Sequence, residues 1–164
     1  MPELNDHVKI NVPARADYIS VIRLTVSGLA YQMGFSYNDI EDIKVALAEA
    51  CNNVVSHAYR NSEAGDMIVD FHVETERLRI VISDEGSSSP FDAKRLKNEA
   101  SSLHGKSLDE IDVGGLGIYL MKTLMDEIEY ETDEKGVKVS LTKYLKRDGV
   151  SESEPNVHQE IIQP

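Results

Sequence analysis

Val8-Lys9-Ile10-Asn11-Val12 alternates apolar and polar side chains ahead of Pro13, the period-two pattern of a short strand with one buried face. From Asp17 to Met33 the period lengthens. Ile19, Ile22, Val26, Leu29 and Ala30 recur at helical spacing, and Gly34 marks the end of that helix. A second helix is expected from Asn38 or Asp39, either of which can cap it, as far as Tyr59. Its apolar stripe is Ile40, Ile43, Leu47, Cys51, Val54 and Ala58.

Asn61–Asp66 is rich in turn formers. Beyond it, Met67–Glu74 and Leu78–Asp84 read as two strands joined through Thr75-Glu76-Arg77, a hairpin. Asp84–Pro90 is a loop. Phe91–Val113 is polar and weakly periodic, and connections of that length are usually lids or disordered. Gly114-Gly115-Leu116-Gly117 opens a short helix running to Met125, and Glu127–Thr132 with Gly136–Tyr144 makes a closing hairpin. Two long helices early and strands clustered late argue an α+β fold, a sheet covered on one face by helices. One domain is expected over residues 1–147. Residues 148–164 carry no Lys or Arg but four acidic side chains, and are expected to be a disordered tail.

Composition narrows the function classes. The chain has 164 residues, 41% hydrophobic and 28% charged, which suits a single globular domain. Its formal net charge of −12 opposes direct nucleic-acid binding, because phosphates would repel it. No apolar run approaches the roughly 18 residues of a membrane helix, and Met1-Pro2-Glu3-Leu4-Asn5-Asp6 is not a signal pattern. Cys51 is the sole cysteine, so no intrachain disulfide forms. A cytoplasmic protein is expected.

Three elements carry candidate chemistry. On the second helix Glu49, Asn53 and His57 follow one another at four-residue steps, opposite the apolar stripe. Such a row is by itself more often a solvated helix back. However, Glu49 is the only formal charge between Val45 and Tyr59, and its neighbours are mostly Ala, Asn and Val. Exposed helix faces are normally dense in Lys and Glu, so this one reads as covered. The second element is the strand end, where Asp84 continues the face of Leu78, Ile80 and Ile82 by period two. A carboxylate there needs a hydrogen-bond donor, and the exocyclic amine of adenine is one. Gly86 would let the backbone pass close to a flat ring, although an Asp-Glu-Gly turn is common in its own right. The third is the glycine-rich helix start, where backbone amides can approach a phosphate. It is neither a Walker A loop nor a dinucleotide fingerprint.

Taken in order, Glu-x-x-x-Asn on a helix, Asp-x-Gly after a strand, a long lid and Gly-x-Gly at a helix start resemble the GHKL ATPases, which include gyrase B and the histidine kinases. Within that family, Val21–Gly28, Glu49–Asn53, His57–Tyr59, Gly114–Met121 and Leu124–Glu127 look like the stand-alone anti-sigma factor serine kinases. The resemblance spans Val8 to Leu145. It implies the two-layer α/β sandwich of the Bergerat type, with a mixed sheet and an ATP lid over Phe91–Val113.

It also implies roles. Glu49 would be the general base and Asn53 the Mg²⁺ ligand. Asp84 and Gly86 would receive adenine, Gly115, Leu116 and Gly117 the ATP phosphates, and His57 would approach a phosphate unless it is structural. Arg23, a lone charge on the first helix, is either a partner contact or an ordinary exposed arginine. The implied partners are a sigma factor, an anti-anti-sigma factor phosphorylated on serine, and a second copy in a homodimer. The alternative is an ATP-dependent sigma-binding module without kinase activity. Two positions depart from the family pattern: Ser88 stands where a second glycine is usual, and Val137 where threonine is common. Lys106 is a further cation in the lid.

Overall fold

The computed structural model describes residues 3–60, 65–85, 113–133 and 136–146. Five strands form one sheet: β1 (Asn5–Pro13), β2 (Asp66–Glu74), β3 (Arg77–Glu85), β4 (Glu127–Asp133) and β5 (Gly136–Tyr144). Their spatial order is β1-β2-β3-β5-β4. Among the described residues three helices cover one face: α1 (Ile19–Met33), entered through a 3₁₀ turn at Ala16–Tyr18, then α2 (Tyr37–Arg60) and α3 (Val113–Leu124). The expected Asn61–Asp66 turn falls mostly outside the described residues. So do the Asp84–Pro90 loop beyond Glu85, the lid with Lys106, and the acidic tail.

The period-two pattern decides the layering. Register pairs Phe71 with Val8 and Ile80, and Ile80 with Leu141. Val69, Phe71, Val73, Leu78, Ile80, Ile82, Val139 and Leu141 therefore share one face and join the core with the helices. From the helix layer come Ile22, Val26 and Ala30 of α1 and Ile43, Leu47, Cys51 and Val54 of α2. The stripes read from the sequence are these stripes as far as Val54, with Leu29 only half-buried and the Ala58 side chain outside the described residues.

Two expectations are corrected. The sheet is antiparallel at each of its four described pairings rather than mixed. β3 and β4 run in the same direction, but β5 lies between them and opposes both. The helix α2 starts at Tyr37, not at Asn38 or Asp39. Its cap is Ser36, whose Oγ accepts the Asp39 N–H at 3.1 Å. Gly34, at φ 93°, ends α1 in the left-handed region and donates its N–H to Ala30 and Tyr31 carbonyls. Phe35 and Ile40, flanking the new cap, are both buried, as in a hydrophobic staple. The α1–α2 corner is thus held from both sides.

Candidate nucleotide site

The Glu49 face of α2 is not a solvated back. Asn52 and Ser56 on that helix are exposed, whereas Glu49 and Asn53 are half-buried. α3 packs on α2 and lies against Glu49. The two helices approach closely at Gly117, which is buried. A β-carbon built there would stand 2.5 Å from Glu49 Oε2 and 3.5 Å from its Cδ. Only a residue without a side chain allows the α3 backbone this near the carboxylate. The Gly-x-Gly motif and the Glu-x-x-x-Asn motif, 64 residues apart in the chain when counted from Asn53 to Gly117, therefore meet.

Gly115 lies in the first turn of α3, and Leu116 is half-buried beside Gly117. The helix runs 12 residues and carries no acidic residue in its first turn. Its amino end is favourable ground for an anion. Asp84 is only 4% exposed and continues the core face of Leu78, Ile80 and Ile82, as its spacing predicted. It sits beside Met67 in register, near the carboxyl end of β3, the strand over which α2 packs. A buried carboxylate there can accept a hydrogen bond from an amine. His57 belongs to α2, but its side chain lies outside the described residues, as does Gly86.

The donor set suits a nucleotide with a hard cation. Among the described residues no group of three or more His, Cys, Asp or Glu could hold a metal ion. The Asn53 amide oxygen is a donor of the kind that Mg²⁺ accepts beside phosphates and waters. Cys51 lies between Glu49 and Asn53 in sequence but faces the core, and burial pushes its thiol up to about 12. It is no thiolate nucleophile. A separate cleft of about 710 Å³ lies beyond the β2–β3 turn, lined by Glu74, Glu76, Arg77 and Tyr144 among others. That is the opposite end of β3 from Asp84, so it is not part of this site.

Arg23 is exposed on α1, at the flank of the core stripe. The sequence reading missed a separate row on the far side of the same helix. Val21, Leu24 and Tyr31 are 45%, 75% and 78% exposed. With Gly28 they form a second helical row at 21, 24, 28 and 31, apolar yet facing water. The signal was visible as an apolar row off the buried stripe.

Residues 12–143 match the model of the histidine kinase-like ATPase domain, the class to which this helix-covered sheet conforms. The chain is 41% identical to the serine-protein kinase RsbW of Bacillus velezensis, over 88% of this chain and 89% of that protein. It is 43% identical to the serine-protein kinase RsbW of Bacillus licheniformis, over 93% and 94% respectively. The RsbU and RsbW domains of Rv1364c from Mycobacterium tuberculosis share the fold, with TM-score 0.61 at 19% identity over 87% of this chain. The chain spans only 33% of that larger structure. This chain belongs to the RsbW family of serine-protein kinases, within the histidine kinase-like ATPases.

Proposed function

We propose that this chain transfers the γ-phosphate of ATP, with Mg²⁺, to a serine of an anti-anti-sigma protein, and alternatively binds a sigma factor and keeps it from RNA polymerase. Membership of the RsbW family makes it an ATP-dependent protein-serine kinase and anti-sigma factor. The observation that supports the residue assignment is the Glu49–Gly117 contact. A carboxylate able to act as a base and a backbone able to approach phosphate share one half-covered place.

In this reading Glu49 takes the proton from the serine hydroxyl as that oxygen attacks phosphorus. The Asn53 amide oxygen is the protein ligand for Mg²⁺, which when bound offsets charge on the phosphate oxygens. Gly115, Leu116 and Gly117 turn amides toward the phosphates, and His57 lies one further turn along the Glu49 row. Asp84 accepts the adenine amine, with Gly86 following in the turn. Arg23 and the exposed apolar row of the same helix meet a protein partner, and two copies associate as a homodimer. Among the described residues no helix is long and apolar enough to cross a membrane.

The test is Glu49→Ala with labelled ATP, Mg²⁺ and the anti-anti-sigma protein. Label on the partner's serine should disappear while ATP and sigma binding persist. Unchanged phosphorylation would remove Glu49 as the base. A wild-type protein that binds ATP and sigma but transfers no phosphate would leave only an ATP-dependent binding module.

A further inference from the structure

Lys143 occupies a position where a cation is costly. It lies on the core face of β5, in register with Leu78 and through it with Val73, and is only 7% exposed. Its ammonium donates to the carbonyl of Leu124, the last residue of α3, at 2.6 Å. The same nitrogen is 4.0 Å from Asp39 Oδ1, in the first turn of α2. The final carbonyls of a helix have no partner within it and carry the negative end of its dipole, so a lysine there is both a cap and a counter-charge.

The two helices joined by this lysine are those that carry Glu49 and Gly117. Leu124 lies about 10 Å along α3 from Gly117, and Asp39 about 15 Å along α2 from Glu49, at 1.5 Å per residue. α2 and α3 pack on one another and send Leu47, Cys51, Ile118 and Met121 into the shared core, and two further contacts lie at separated points along them. One is the Lys143 bridge, and the other is the bare backbone contact at Gly117. The second contact contains no side chain on the α3 side that could lock it. The bridge adds to the apolar packing a directional polar tie between the carboxyl end of α3 and the first turn of α2.

We infer that Lys143, with Asp39, is a positioning residue of the kinase site: it helps fix the axial setting of α3 against α2, and hence how the Gly117 backbone meets the Glu49 carboxylate beside which the phosphates would be handled. This rests on the assignment of Glu49 and Gly117 made above. Lys143 touches neither substrate nor nucleotide.

The experiment compares Lys143→Met, Lys143→Arg and Asp39→Asn, each checked for fold by circular dichroism. ATP affinity is measured by calorimetry with Mg²⁺, and phosphate transfer by single turnover. Lys143→Met should weaken ATP binding and slow transfer by about tenfold or more, as displaced catalytic groups do. Lys143→Arg should recover most of both, and Asp39→Asn should give a smaller loss that vanishes in the Lys143→Met background. Folded variants with wild-type ATP affinity and transfer rate, differing only in melting temperature, would overturn the inference. If Lys143→Met does not fold, Asp39→Asn decides by the same criterion. Glu49→Ala run alongside separates the two failures: a variant still active there sinks the site assignment itself, whereas an inactive one beside a fully active Lys143→Met sinks only the positioning role.

Discussion

Gly117 of α3 lies so close to Glu49 of α2 that an added β-carbon would stand 2.5 Å from the Oε2 atom. That atom is the far end of a flexible side chain, so it can swing aside without moving the backbone. Gly117→Ala should therefore cost the fold little, and alanine's helix preference of about 1 kcal/mol over glycine works in its favour. The displaced carboxylate is another matter. Phosphate transfer should fall by about a hundredfold, the scale of an ångström's misplacement. Melting and single-turnover measurements on one preparation check both halves. A variant that is active and unstable would contradict the geometry.

Asp84 is expected to recognise adenine, since its carboxylate continues the buried face of β3 with 4% exposure. Hydrogen bonds to charged groups contribute about 1.5–3 kcal/mol. Asp84→Ala should accordingly raise the Kd for ATP by about tenfold to a hundredfold. Thermal shifts with and without ATP read this directly, because a ligand stabilises in proportion to the logarithm of its excess over Kd. Equal shifts in both proteins would place adenine elsewhere.

Arg23 and Tyr31 are exposed on α1, where substitutions usually change stability by under about 0.5 kcal/mol. Arginine and tyrosine are also enriched among residues that dominate interfaces. Arg23→Glu and Tyr31→Ala should each weaken sigma binding by about thirtyfold, near 2 kcal/mol, with ATP affinity unchanged. Calorimetry with sigma factor and with ATP separates the two surfaces.

His72 makes stability depend on pH. Its ring stacks on His7 at 4.8 Å and 4° between planes, and His7 Nε2 is 2.7 Å from Asp70 Oδ1. Burial, then the charges of Arg79 and His7, hold His72 below its ordinary 6.5, while Asp70 and Glu74 pull upward. The unfolded chain therefore binds the proton first as pH falls through that ordinary value, and stability declines until the folded-state value is passed. Denaturation midpoints should drop as pH falls through the ordinary histidine value and below it, and His72→Gln should flatten that limb. An identical slope in the variant would assign it to other groups.

Much of this site was legible because it follows local periods. Asp84 completes the Leu78-Ile80-Ile82 face, and Glu49 stands out as a lone charge on a small-residue helix face. A cover at Glu49 was also foreseeable, although α3 supplies it in the protein itself. Strand direction was not legible, since which strands pair depends on register between distant segments. Nor was Lys143: near a strand end a lysine looks solvated, and only the arrival of Leu124 and Asp39 turns it inward. β1 extends back to Asn5 through polar residues, because a ladder with β2 as far as Glu74 needs no apolar face there. Ser36 was passed over as the cap because Asn38 and Asp39 are equally good by composition. Tertiary fit at Phe35 decided between them.

The place of β5 between β3 and β4 has a temporal consequence. While the chain is being made, the edge of Ile80 and Ile82 stays bare until residues 136–144 leave the ribosome, and an open edge invites pairing with another chain. The strand synthesised last is the keystone of the sheet. Any copy halted before it would present the bare edge of β3 to its neighbours, so completion of the sheet waits on these nine residues.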